Sequence, residues 1–289
     1  MMRLLLLLAM AAALVACKRE AEPAVAPTAP ATSATAPAPG EGAAASARLE
    51  DVSESTSDYV IGISYQVPSE RYPGLAAELR KYADAARADL MEAAKARSTP
   101  GGATSAPYDL SLSFTGLMET PDIVAVAADG SSYTGGAHGA PLIARFVWLP
   151  KQNRLLTAGE LINTPAGWTA ISDYVREQLH AALSQRVDAD DLPPEERAEV
   201  VKNASRMIDD GTQPEPGDFA LFEPMQAPDG RLSGLRFVFA PYQVGPYSDG
   251  TQTVEVPVEV LLPYIAPEFR TLFAVPSAPP AAASEPAPR

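Results

Sequence analysis

Two stretches of this chain hold residue types at spacings that could recognise a ligand. The first is Ser131-Ser132-Tyr133-Thr134-Gly135-Gly136-Ala137-His138-Gly139. Gly135, Gly136 and Gly139 allow positive φ and close backbone approach, as a tight loop between strands requires. The imidazole of His138 then offers two ring nitrogens. They serve either loop carbonyls, as a buried structural histidine, or a bound group. The second stretch runs Phe237-Val238-Phe239-Ala240-Pro241-Tyr242-Gln243-Val244-Gly245-Pro246-Tyr247-Ser248-Asp249-Gly250. Its two Pro-Tyr pairs leave a strand through a rigid turn and present two phenols near the sheet end. Tyr242 and Tyr247 either pack on the sheet with satisfied hydroxyls or form a recognition surface.

Other chemistry finds few residues to work with. A hydrolytic metal site needs several convergent histidines, cysteines or carboxylates. This chain has two histidines, His138 and His180, and one cysteine, Cys17. His180 falls beside the apolar stripe of a helix and reads as a boundary residue. Asp190-Asp191, Glu195-Glu196 and Asp209-Asp210 fall near helix ends, where first-turn charge or solvation explains them. No H-E-x-x-H, G-x-S-x-G or P-loop pattern occurs. Neither a catalytic set nor a cofactor or metal is therefore expected, and a binding module is favoured over an enzyme.

The elements that position the two stretches follow from periodicity. Ile61, Ile63, Tyr65 and Val67 alternate with smaller or polar residues, a strand pattern. Pro73 opens a helix with Leu75, Leu79, Tyr82, Ala86 and Leu90 on one stripe. Strands are read at Leu110–Phe114, Ile123–Val126 and Leu142–Leu149. Thr164-Pro165 caps a second helix whose stripe is Trp168, Ile171, Val175, Leu179 and Ala182. Pro193-Pro194 opens a third, ending near Gly211. Late strands are read at Phe219–Met225, Gly234–Phe239 and Thr253–Val256. Strands come in groups without βαβ alternation, so the expected fold is α+β. It is a single domain, residues 48–275, with a largely antiparallel sheet and about three packed helices.

The ends of the chain set its expected location. One basic residue, Arg3, precedes an apolar run from Leu4 to Ala16, which is shorter than the roughly 20 residues a spanning helix needs. This is signal-peptide anatomy. Leu14-Val15-Ala16-Cys17 reads as a lipobox, so residues 1–17 form a lipoprotein signal with Cys17 carrying the lipid. Lys18 and Arg19 follow, and the lack of aspartate there resembles sorting to the outer membrane of Gram-negative bacteria, facing the periplasm. Residues 18–47 and 276–289 are rich in alanine and proline and read as disordered. At about 3.1 Å per residue the first of these could reach on the order of 90 Å from the membrane. The formal net charge is −14. An acidic chain without basic clusters should not bind nucleic acid, and should draw cationic partners.

Together the Tyr-x-Gly-Gly-Ala-His-Gly loop, the following Thr157-Ala158-Gly159-Glu160-Leu161-Ile162 segment and the Pro241-Tyr242…Pro246-Tyr247 element resemble a known family. It is the extracytoplasmic domain of RsiV, the anti-sigma factor of sigma-V and a lysozyme receptor. A related domain accompanies PdaC-type peptidoglycan deacetylases. The resemblance spans about Asp58 to Phe273 and implies an α+β fold. By position, Tyr133, Gly135, Gly136, His138 and Gly139 match the first motif. Pro241, Tyr242, Pro246 and Tyr247 match the second. The likeness implies an envelope binding module whose ligand is lysozyme, another cationic wall-active protein, or peptidoglycan. Two departures limit it: the chain lacks a cytoplasmic anti-sigma segment, and it lacks a deacetylase signature. The alternatives left open are an envelope glycan hydrolase with unplaced carboxylates and a structural envelope lipoprotein.

Overall fold

β1 (Val52–Ser55) and β2 (Tyr59–Gln66) form an antiparallel pair at one edge of a sheet. The computed structural model describes residues 48–97, 106–190 and 192–275. The expected signal peptide with Cys17, the linker and the tail lie outside the described residues. After β2, Pro73 begins α1 (Pro73–Arg97), on which Leu75, Leu79, Ala83, Ala86, Leu90 and Ala94 are buried at helical spacing. The helix carries the chain back so that β3 (Tyr108–Glu119) lies parallel to β2. A parallel pair needs such a crossover. β4 (Val124–Tyr133), β5 (Ala140–Leu149) and the short β6 (Arg154–Leu155) then add antiparallel neighbours in sequence order.

β4 opens with five buried residues in a row, Val124 to Ala128. Successive side chains of a strand point to opposite faces, so a continuous buried run means that both faces are covered. Val124, Val126 and Ala128 join the core under α1 with Ile61, Leu110, Leu112 and Phe114. Ala125, with Val147 and Leu149 of β5, joins a second core on the other side.

That second core is closed by a smaller sheet and the remaining helices. α2 (Ala158–Leu161) is one turn, α3 (Pro165–Ala189) follows it, and α4 (Pro194–Asp210) packs against α3. β7 (Phe222–Gln226), β8 (Leu232–Phe239) and β9 (Gln252–Pro257) form a three-stranded antiparallel sheet. α5 (Val258–Leu261) and a terminal 3-10 turn complete the chain's described part. Phe219 packs between Trp168 of α3 and Phe237 of β8, with ring centroids 5.6 and 5.2 Å away. None of the helices among the described residues is long and apolar enough to cross a membrane.

The expected α+β architecture with mostly antiparallel strands and three longer helices is what the chain adopts. Four details differ. The strands divide between two sheets, and β2 and β3 run parallel. Phe219 precedes its strand, which begins at Phe222, and its ring packs on Trp168. On α3 the buried stripe continues through Leu183 and Val187, leaving Ala182 exposed.

The turn before α2 is fixed by a reciprocal cap. Thr157 N–H donates to Glu160 Oε2 at 2.9 Å, and Glu160 N–H donates to Thr157 Oγ1 at 3.3 Å. The Thr157 backbone bond, aided by the Thr157 hydroxyl and Arg154, holds the Glu160 carboxyl below its ordinary range. A depressed carboxylate contributes stability above its unfolded pKa, about 4.3, and loses it as pH falls through the folded value. Glu160→Gln should therefore unfold at lower urea than the parent at pH 7, and the gap should narrow as pH falls below about 4.3.

Candidate functional site

The two stretches singled out by the sequence are hairpin loops on different sheets, and they meet. The first joins β4 to β5, and Tyr133 is the last residue of β4. Gly135 and Gly136 have φ of 102° and 100°, a conformation that L side chains rarely adopt. The loop folds back on itself, with the Tyr133 hydroxyl donating to the Gly136 carbonyl at 3.1 Å. His138 is thereby carried out to the surface, where its ring is exposed.

The second loop joins β8 to β9. Gln243 N–H donates to the Ala240 carbonyl at 3.0 Å, closing a four-residue turn with Pro241 second and Tyr242 third. Tyr242 has φ 75°. That is the third position of a type II turn, where glycine is usual. A tyrosine held there costs about 1–2 kcal/mol against an ordinary backbone conformation. Such strain persists only where the surroundings over-determine it.

The surroundings do so here. Gln243 Nε2 donates to the carbonyls of Gly211 and Asp218 at 3.0 and 2.8 Å, and Val244 is buried. Gly211 lets the loop backbone approach the end of α4, since a Cβ there would lie 2.0 Å from the Gln243 carbonyl oxygen. Arg186 of α3 grips Asp249 at 2.7 Å and so fixes the 3-10 turn Tyr247–Asp249.

At the junction the side chains form one cluster. His138 Nδ1 lies 3.2 Å from the Gly139 carbonyl, an acceptor, so this nitrogen carries the proton in the neutral ring. Nε2 then accepts from the Tyr242 hydroxyl at 2.9 Å. The imidazole also stacks on Tyr247, with centroids 3.8 Å apart and planes 15° from parallel. The Tyr247 hydroxyl donates to the same Gly139 carbonyl at 3.3 Å. Tyr242 remains 55% exposed, so its ring is available to a partner. His138 is thus not the buried structural histidine of the first reading. Its nitrogens tie the loops together, and its ring lies at the surface rather than in the core.

The other sequence candidates lie apart from this cluster. His180 is half-buried on α3 and faces Asp209, Nε2 to Oδ1 3.2 Å. Asp190 is the C-cap of α3, and Glu195 and Glu196 lie in the first turn of α4. Asp191 and Cys17 lie outside the described residues. Among the described residues no group of three or more histidines, cysteines or carboxylates could hold a metal ion. The anchors Gln243 and Asp249 escape a reading by spacing, because their partners are remote carbonyls and a remote arginine. Gly211 is the C-cap of α4, so the helix ends where the sequence placed its end. Its φ is −88°, so what its place requires is the absence of a Cβ rather than a positive φ.

Residues 162–259 match the family model described as "Protein of unknown function (DUF3298)". The matched segment contains the second loop with Tyr242 and Tyr247, whereas the first loop precedes it. No curated protein matches the chain. Among solved structures, a DUF3298 family member from Bacteroides fragilis is similar at 17% identity and a TM-score of 0.47, covering 76% of this chain and 93% of that one. A DUF3298 family protein from Pseudomonas aeruginosa is similar at 16% identity and a TM-score of 0.47, covering 78% and 96%.

Proposed function

We propose that this protein is a lipid-anchored binding module of the cell envelope, and that the joined loops are its recognition surface. The observation that carries this reading is the strained, exposed Tyr242, locked beside an exposed His138 by anchors from two sheets and two helices. A fold that only needed a turn there would place glycine at φ 75°. An aromatic ring held rigidly at the surface suits the centre of an interface, where tyrosine is enriched. The two motifs that resemble the RsiV-type domain are the two loops that build this surface. The partner proposed is lysozyme or another cationic wall-active protein, drawn by a net charge of −14, with peptidoglycan as the glycan ligand to compare. Cys17 would hold the module to the outer membrane on its periplasmic side, and residues 18–47 would give it reach.

Tyr242→Gly separates recognition from folding. The substitution removes a phenol and a hydrogen bond but relieves the positive φ, so the urea midpoint should stay within about 0.5 kcal/mol of the parent. Binding to lysozyme or to isolated peptidoglycan should fall at least tenfold. Loss of stability with unchanged binding would make the cluster a structural clasp only.

A further inference from the structure

We infer that the free edge of β9 is a second docking surface, which receives an extended, cationic peptide segment as a fourth strand between β9 and α3. A sheet edge exposes unpaired backbone donors and acceptors, and proteins blunt such edges by shortness, proline, bulges or lysine. Among the described residues the two sheets end in β1 and β6, and in β7 and β9. β6 has two residues and β1 four. β7 carries Pro224 mid-strand and a register shift at Met225/Gln226. β9 has no proline, lysine or bulge from Gln252 to Val256, proline comes only as its last residue, and α3 flanks it without pairing with its backbone.

A groove of about 380 Å³ lies between this edge and α3. The four consecutive residues Gln252–Glu255 form one wall, and Gln178, Leu179 and Ala182 of α3 form the other. Consecutive strand residues point to opposite faces, so a groove that all four line follows the backbone edge itself. This is the arrangement in which β-strand addition occurs: main-chain bonds supply affinity and alternate side chains supply selectivity. An added strand would turn one set of side chains toward Val254 and Leu179, which favours small apolar residues. The other set would lie beside Thr253 and Glu255. The cations nearby, Arg236 and Arg186, are already paired with Glu255 and Asp249. With a net charge of −14 on the chain, a cationic segment is the favoured occupant and a second copy of this chain is not.

The test uses the full chain and an acetylated, amidated hexapeptide alternating valine and lysine. Controls are the same peptide N-methylated at alternate residues, in both possible phases. The expected result is saturable binding of the parent peptide with slowed amide exchange at Thr253–Val256. At least one N-methylated form should bind ten or more times more weakly. Ala182→Trp, an exposed site that fills the groove, should weaken binding similarly without moving the melting temperature. Equal binding by all three peptides would show charge attraction alone and overturn the proposal. So would an absence of binding, or protection on another strand. Protection of β9 that grows with protein concentration in the absence of peptide would make the occupant a second copy and overturn it too.

Discussion

Gly211→Val is expected to destabilise the protein by about 3 kcal/mol and to abolish the binding proposed for the loop cluster. The reason is local. A Cβ at this position would lie 2.0 Å from the Gln243 carbonyl oxygen and 2.8 Å from its carbon. Both atoms are backbone, so no side-chain rotation relieves the overlap. Either the end of α4 or the β8–β9 loop must move. If the loop yields, recognition is affected directly. Its displacement would break the two Gln243 hydrogen bonds and lift Val244 from the core. Tyr242 would then lose the frame that holds it beside His138. Gly217→Val is the matching control, since a Cβ there meets nothing within 4 Å and φ is not positive. Its urea midpoint should stay within about 0.5 kcal/mol of the parent.

Arg145→Met should cost a comparable amount, about 3 kcal/mol, through charge rather than shape. Arg145 lies on β5 with its side chain only 7% exposed, bonded to Glu223 of β7 at 2.7 Å and to Asp129 of β4 at 2.9 Å. Glu223, 12% exposed, also meets Arg236, which bonds Glu255 in turn. This chain of charges links the six-stranded sheet to the three-stranded one. The Glu255 hydrogen bond, with help from Glu223, keeps the Arg236 guanidinium pKa above its ordinary value. Removing Arg145 leaves Glu223 desolvated with one partner instead of two. Adding Glu223→Leu to Arg145→Met removes that stranded charge. The double variant should recover part of the loss, as apolar replacement of buried pairs commonly does. Urea unfolding of the parent, the single and the double variant checks this. A double variant less stable than the single one would show that Glu223 is satisfied by Arg236 alone.

Much of the fold was legible because its signals are local. The cap at Thr164-Pro165 satisfies backbone groups within one turn, so residue type and spacing suffice to place it. The stripe from Leu75 to Leu90 announces α1 in the same way. What stayed hidden depends on partners distant in sequence. The parallel pairing of β2 and β3 is decided by how α1 returns the chain, and periodicity is silent on strand direction. The division into two sheets rests on β4 being covered on both faces, a fact visible in Val124–Ala128 only once those faces exist. The candidate site shows the same divide. Gly135, Gly136, His138, Tyr242 and Tyr247 stand out by type, whereas their meeting across more than a hundred residues does not. Nor does the positive φ of Tyr242, since nothing about a tyrosine suggests it.

The most direct measurement is a titration of the purified protein, alongside Tyr242→Gly, with a C-type lysozyme at low and moderate salt. A recognition surface formed by the two loops predicts saturable binding by the parent that weakens as salt rises, and a loss of at least tenfold in the variant at unchanged fold. Lysozyme binding of equal strength by both proteins would contradict it, and so would an absence of binding to lysozyme and to peptidoglycan alike.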